Sequence, residues 1–444
     1  MPDLPRQIRL AAGDYFMHAQ DHGMRQAGLP GNVCCAVIHL DRGLDLDRLR
    51  RRIAGSPVMD WLARARLVRP LPLLPLVWRT SREREAIFFE HPDPNPGLET
   101  PWSRPAVVAK RELRAERGPG VTFDVVRHAD GSSHLFLSWN HTLLDAQGLD
   151  LLLKYLNADG AANGAPTIED FLNPEQDKSR GLAGWWPGAK LARGSLKWLG
   201  ESGREPLFSL VPPEPPAGPR RNLQRVLRFT ESETARIEAR SRDLAAGFRR
   251  SHFFLAASIR ALHALAVRRG NRDGAYLVPV PHDTRRHGAK GPIFSNHLSI
   301  LFYRVEPRDA GRIRDIVGAL SRQMADQIRD RFPQSCMAAL HLCQWMPPGY
   351  YMRHLGKPTC GKVASLSFSD SGELCPGMTE WCGARILDVT HLVPCWRSPG
   401  LTILFYGFGN RLSAMLSWVD DCLGLVEVDR LERDARRALL EEEL

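Results

Sequence analysis

Ser138-Trp139-Asn140-His141-Thr142-Leu143-Leu144-Asp145-Ala146-Gln147-Gly148 decides the reading of this chain. It closes an apolar run, Ser133-His134-Leu135-Phe136-Leu137-Ser138-Trp139, whose alternation predicts a strand. Leu149, Leu152, Leu153 and Leu156 then recur at helical spacing. His141 thus falls at a strand end, and Asp145 near a helix start. That arrangement can present an imidazole to a cleft while the carboxylate fixes the loop. A neutral imidazole so placed can take a proton from a hydroxyl, amine or thiol.

His-x-x-x-Asp alone is a weak signal. Its strand–loop–helix setting strengthens it, as do other segments of the chain. The motif resembles the His-His-x-x-x-Asp-Gly signature of the acyl-CoA-dependent acyltransferase superfamily. That superfamily includes chloramphenicol acetyltransferase, peptide-synthetase condensation domains, plant acyltransferases and bacterial wax ester synthase/diacylglycerol acyltransferases. His141 matches the second His and Asp145 the Asp. Asn140 stands in place of the first His and Ala146 in place of the Gly. Gly would permit a closer backbone approach there than Ala.

Three later segments extend the resemblance. Ser295-Asn296-His297-Leu298-Ser299 is similar to a Gly-Asn-x-x-Ser step, with Ser295 at the Gly. Leu366-Ser367-Phe368-Ser369-Asp370-Ser371-Gly372 looks like a Ser-Asn-x-Gly strand–turn, with Ser369 on the Ser and Asp370 on the Asn. Gly400 to Trp418 reads as a hairpin with Asn410 in its turn, and Val428 to Leu440 as the terminal helix. Ser251-His252 departs from the Asn-Asp of wax ester synthases.

The resemblance implies an α/β fold of two chloramphenicol acetyltransferase-like sandwich subdomains, forming a pseudo-dimer with a central channel. It implies transfer of an acyl group from a thioester, acyl-CoA or acyl-carrier protein, to a hydroxyl, giving an ester. His141 would be the general base, and Asp145 would hold the loop by facing a basic residue. Asn296, Ser299, Ser369 and Asp370 become candidate substrate-binding residues. Turn chemistry is an equally good account of Asn296 and Ser369. Neither a metal nor a cofactor is implied; acyl-CoA or acyl phosphopantetheine is a co-substrate. Two alternatives stay open: a condensation-type enzyme making amides, and a non-catalytic relative that binds a carrier protein or lipid.

The 444 residues suffice for two domains. We place an N-terminal subdomain at 1–175, a crossover and Pro-rich linker at 176–220, and a C-terminal subdomain at 221–444. The linker includes Val211-Pro212-Pro213-Glu214-Pro215-Pro216-Ala217-Gly218-Pro219, a composition that reads as extended. In the first part Ala11–Arg25 reads as a helix and Val33–Leu40 as a strand. Leu44–Ile53 reads as a helix capped by Asp45 or Asp47, and Val121–Val126 as a strand. In the second, Leu223–Phe229, Ala275–Val280 and Leu298–Tyr303 read as strands. Glu231–Ala246, with Thr230 and Glu233 as a capping box, and Ser251–Val267 read as helices.

A net charge of +10 fits an arginine-rich solvated surface. Its functional counterpart is attraction to a coenzyme A phosphate, an acidic carrier protein or an anionic membrane. Nucleic acid is not expected, since no Lys/Arg run with interleaved aromatics or zinc-finger spacing occurs. Nine cysteines without a Cys-x-x-Cys fit reduced thiols. No signal core follows Met1, and no stretch has transmembrane length. A cytoplasmic protein is expected. Trp185-Trp186 to Trp198, with its Lys and Arg, reads as a crossover packing on both halves or as a peripheral contact at the inner membrane. His252, His263 and His341 read as packed or surface histidines. His282-Asp283 with Arg285 and Arg286 reads as a solvated loop or a phosphate site.

Overall fold

The computed structural model describes residues 4–71, 74–92, 108, 111–158, 166–171, 185–214, 218–245, 250–285, 288–359 and 361–441. Alternating apolar residues build a six-stranded sheet, in the order Glu380–Trp381, Ala384–Leu392, Val33–Leu40, Ser133–Asn140, Val121–Arg127 and Phe88–Pro92. Its strands pair antiparallel except the last two, which run parallel. The expected strands at Val33, Val121 and Ser133 lie side by side at its centre. The strand Ala384–Leu392 was not anticipated from sequence. It leaves the second half of the chain and pairs with Val33–Leu40 of the first.

A second sheet has the order Ser367–Glu373, Leu401–Phe408, Arg411–Val419 and Asn222–Arg228. The hairpin expected around Asn410 is its centre. Tyr276–Asp283 and Leu298–Val305 form a separate antiparallel pair. Three apolar clusters hold the chain together. One surrounds the first sheet and one the second. The third joins Phe16 and Met17 of the N-terminal helix to Leu298, Ile300 and Tyr351 of the second half. Burial of such side chains contributes roughly 1.5–3 kcal/mol each.

Local signals placed most helices. Ala12–Gln26, Leu46–Gly55, Ala146–Asn157, Glu231–Ala245, Arg250–Arg268 and Leu425–Leu440 all appear. Asp45 caps the second by accepting the Arg48 N–H at 2.8 Å. Thr230 and Glu233 form their capping box, with bonds of 2.9 and 3.2 Å. Trp185–Ser202 is also helical. Its Trp198 lies 5.8 Å from the ring of Phe302 and 5.6 Å from that of Phe332, both in the second half of the chain. Pro215, Pro216 and Ala217 of the Pro-rich run lie outside the described residues. Among the described residues no helix is long and apolar enough to cross a membrane, and no disulfide joins any two of the eight described cysteines.

Candidate active site

The first-sheet strand ends at Asn140, and the loop 141–144 leads into the helix Ala146–Asn157. The loop is tied down at every step. The Trp139 indole N–H donates to the Leu144 carbonyl at 3.1 Å. The His141 N–H donates to the Asn32 carbonyl at 2.9 Å, and the Ser295 N–H to the Leu143 carbonyl at 2.9 Å. Asp145 is the helix N-cap, accepting the Gly148 N–H at 2.8 Å. That bond satisfies one of the four N–H groups a helix start leaves unpaired.

Asp145 also meets the basic partner the resemblance requires, which is Arg285. The guanidinium grips both carboxylate oxygens, at 2.8 and 3.0 Å. The Arg285 side chain is 3% exposed and Asp145's 16%. Arg285 further donates to the Pro292 carbonyl at 3.1 Å, and the His297 N–H adds a bond to Asp145 at 3.1 Å. Sequence reading had placed Arg285 in a solvated loop or phosphate site. The structure instead buries it, because only a charged partner offsets the desolvation of a carboxylate here.

Asn296 is brought directly to the motif. Its amide Nδ2 donates to the His141 carbonyl at 2.8 Å and to Asp14 at 2.9 Å. Both neighbours are acceptors, so the amide must present its nitrogen to them, and both its hydrogens are used. It therefore has none left for an oxyanion, whereas its Oδ1 is buried and favours a charged His141 ring. Asp14 also accepts the Asn296 N–H at 2.6 Å, the Ser295 hydroxyl at 2.8 Å and the Ala11 N–H at 2.9 Å. Burial pushes the Asp14 carboxyl up to about 6, against those four hydrogen bonds. Asp14 had no sequence signal as a site residue, since Ser295 and Asn296 lie some 280 residues away.

Close backbone approach is real at this site, but not at Ala146. A Cβ on Gly148 would sit 2.3 Å from the Ile293 carbonyl oxygen, and one on Gly13 would sit 2.4 Å from that of Asn296. Ser295, at the Gly of the resembling step, adopts a φ of +86°. That left-handed backbone suits Gly, and its hydroxyl bond to Asp14 offsets part of the strain. Asn140 has its own task. Its amide donates to Asp21 at 3.4 Å and to the Leu113 carbonyl at 3.3 Å, while its oxygen accepts the Thr142 N–H at 3.0 Å.

The remaining candidates stand elsewhere. The Ser299 hydroxyl donates to the Pro333 carbonyl at 2.8 Å, tying its strand to the helix Phe332–Cys343. Asp370 pairs with Arg250 at 3.4 Å and accepts the Gly372 N–H at 3.1 Å, which holds the strand–turn. Ser369 sits half-buried on the same strand. None of these three hydrogen-bonds His141 among the described residues. A groove of about 440 Å³ lies between Arg50, Ile53, Arg84 and Phe88, and no residue of the motif lines it.

His141 itself is half-buried, with Nδ1 enclosed and without a hydrogen-bond partner. Burial lowers its pKa below the usual 6.5, outweighing its own carbonyl, Asp145 and the Asn296 side chain, which favour the charged ring. The imidazole is therefore neutral at pH 7, the form that accepts a proton. A base depressed in this way predicts an acid limb of kcat/KM whose midpoint lies below 6.5. An inflection above 6.5 in a pH–rate profile would assign the base to another group.

The fold agrees with solved structures along the whole chain. A trichothecene 15-O-acetyltransferase from Fusarium sporotrichioides matches with a TM-score of 0.70 at 13% identity, over 99% of both chains. A substituted starter condensation domain of rhizomide synthetase, in complex with C8-CoA, matches at 0.66 and 13%, over 98% of this chain and 95% of that one. A wax ester synthase/diacylglycerol acyltransferase from Marinobacter aquaeolei matches at 0.57 and 14%, over 97% and 98%. No protein-family model matches the sequence, and no curated protein does. These likenesses establish the fold: the chloramphenicol acetyltransferase-like pseudo-dimer shared by acyltransferases and condensation domains.

Proposed function

We propose that the chain is an acyltransferase that moves an acyl group from a thioester to a hydroxyl. One observation carries this reading: a neutral, half-buried imidazole at a strand end, its backbone clamped by Asn296 and its loop clamped by the Asp145–Arg285 pair. His141 takes the proton of the acceptor hydroxyl as its oxygen attacks the thioester carbonyl carbon. The tetrahedral adduct then collapses, the C–S bond breaks, and the thiolate takes the proton back from the imidazolium. Three protein groups serve this: the base, its clamp, and the ion pair that holds the loop. Asp145 faces Arg285, so its role is to position rather than to react. No metal or redox step is needed for that sequence.

The solved relatives support the class and differ in product. An acetyltransferase and a wax ester synthase are among them, and so is a condensation domain. The ester reading rests on the hairpin and strand–turn segments. Amide formation is the second reading, favoured by the condensation-domain likeness. The alternative of a non-catalytic relative would gain if His141 were buried away from any open channel; the residue as a whole is half-buried.

For the donor we favour free acyl-coenzyme A over a carrier protein, and we place the protein in the cytoplasm. Thioester consumption with a panel of acyl-coenzyme A donors and with the matching acyl-carrier proteins tests this. A net charge of +10 steers an acidic carrier, and salt screens such steering over about 8–10 Å at physiological ionic strength. We expect kcat/KM to favour coenzyme A, with a shallow salt dependence. A carrier advantage that vanishes as salt rises would reverse that preference. Absence of turnover with either donor class, across alcohols and amines, would remove the enzymatic reading.

A further inference from the structure

His391 lies on the strand that crosses from the second half into the first sheet. Its cross-strand partner is Ala36, which in turn pairs with Leu137. Opposed residues share a sheet face, and alternate residues along a strand return to it. His391 therefore shares its face with Leu137 and Trp139, and the next position in that alternation is His141. The His391 ring sits 5.4 Å from that of Trp139. It is also near enough to His141 for the two imidazoles to oppose each other's charge.

His391 is 3% exposed, and among the described residues neither of its ring nitrogens has a hydrogen-bond partner. A neutral imidazole always carries one N–H donor and one lone-pair acceptor. Leaving both unpaired in an apolar setting is costly, and native proteins rarely do so without a reason. Ala36, Leu137 and Trp139 would pack as well against an apolar side chain. Burial and the neighbouring His141 hold the His391 pKa down to about 3. It is thus too weak a base to replace His141, and its remaining chemistry is hydrogen bonding. Asn296, which holds the His141 carbonyl, has no amide hydrogen to give.

The geometry points to His391 as a substrate-recognition residue, whose neutral imidazole pairs with a substrate oxygen beside the reacting carbon. That oxygen belongs either to the thioester carbonyl or to the acceptor hydroxyl. The inference rests on the acyl-transfer reading above. If the oxygen is the carbonyl's, the N–H bond strengthens as the adduct gains negative charge. If it is the hydroxyl's, the bond fixes the acceptor before His141 removes its proton.

The test uses the full chain with His391→Phe, which removes both polar atoms, and His391→Gln, which restores a donor and an acceptor. Melting temperature is measured without ligand, octanoyl-coenzyme A and coenzyme A affinities by calorimetry, and kcat and both KM values by thiol release. The Phe variant should melt no lower than the parent, because it loses only unpaired polar atoms, and Gln should recover part of the function lost in Phe. A carbonyl partner predicts a fall in kcat of roughly 10²-fold, with weaker octanoyl-coenzyme A binding but unchanged coenzyme A binding. A hydroxyl partner predicts an acceptor KM raised about tenfold, the scale of one neutral hydrogen bond, with thioester binding intact. A Phe variant within twofold of the parent in every parameter overturns the inference. So does a lowered melting temperature with no rescue by Gln, which would make His391 a packing residue. Thioester binding does not depend on turnover. A parent that turns over no donor therefore sinks the acyl-transfer reading, while the calorimetry still decides whether His391 meets the carbonyl.

Discussion

Replacing His141 with alanine should lower turnover by about 10²- to 10⁴-fold, the usual worth of a general base, while the melting temperature stays close to the parent's. The two halves of this expectation have separate causes. The chemical loss follows because the acceptor hydroxyl keeps its proton until a neutral imidazole takes it. The structural tolerance follows because the motif is held through its backbone. The Asn32 carbonyl accepts the His141 N–H, and Asn296 donates to the His141 carbonyl. Neither bond involves the ring. Truncation therefore leaves the surrounding network paired. Thioester consumption and thermal melting, measured on the same preparation, check both halves. Full activity in a well-folded His141→Ala protein would exclude His141 as the base.

What could be read in advance was local. The strand ending at Asn140 showed in its alternation, the helix after Asp145 in its leucine spacing, and the Thr230–Glu233 capping box in four consecutive residues. Asp145 at a helix start is a signal carried within the motif itself. What could not be read depends on partners far away in the chain. Arg285 sits 140 residues from Asp145, and Asp14 sits 282 from Asn296. The strand Ala384–Leu392 shares a sheet with Val33–Leu40, and only the register of that pairing brings His391 to the motif's face. Nothing in its local sequence announces that register.

The departures from the resembling signature also become intelligible only in three dimensions. Asn140 replaces a histidine, yet its amide ties the strand end to Asp21 and to the Leu113 carbonyl. Ala146 replaces a glycine, yet the tight passage occurs two residues later, where Gly148 meets the Ile293 carbonyl. Ser295 replaces another and keeps the left-handed backbone, with its hydroxyl tied to Asp14. In each case a polar bond or a displaced glycine supports the same loop geometry. These substitutions therefore leave the base and its clamp in place.

The Asp145–Arg285 pair separates positioning from chemistry, and Asp145→Asn is the cleanest probe of it. Asparagine is as good an N-cap as aspartate, so the bond from the Gly148 N–H survives. What is lost is the charge facing a guanidinium that is 3% exposed. Arg285 then keeps only the more exposed Asp283, at 3.4 Å, as a carboxylate partner, so the loss should lie below the roughly 3–5 kcal/mol of a fully uncompensated buried ion. We therefore expect a clearly lower melting temperature. Activity should fall with it, because Arg285 also braces the Pro292 carbonyl in the segment leading to Asn296, which clamps His141. Removing both charges, with Asp145→Asn and Arg285→Met together, should cost less than the sum of the single changes, since no buried ion is then left unpaired. Thermal melting of the four proteins in this cycle measures the coupling. If Asp145→Asn melts like the parent but loses most of its rate, the carboxylate acts in the chemical step and the positioning role assigned to it is wrong.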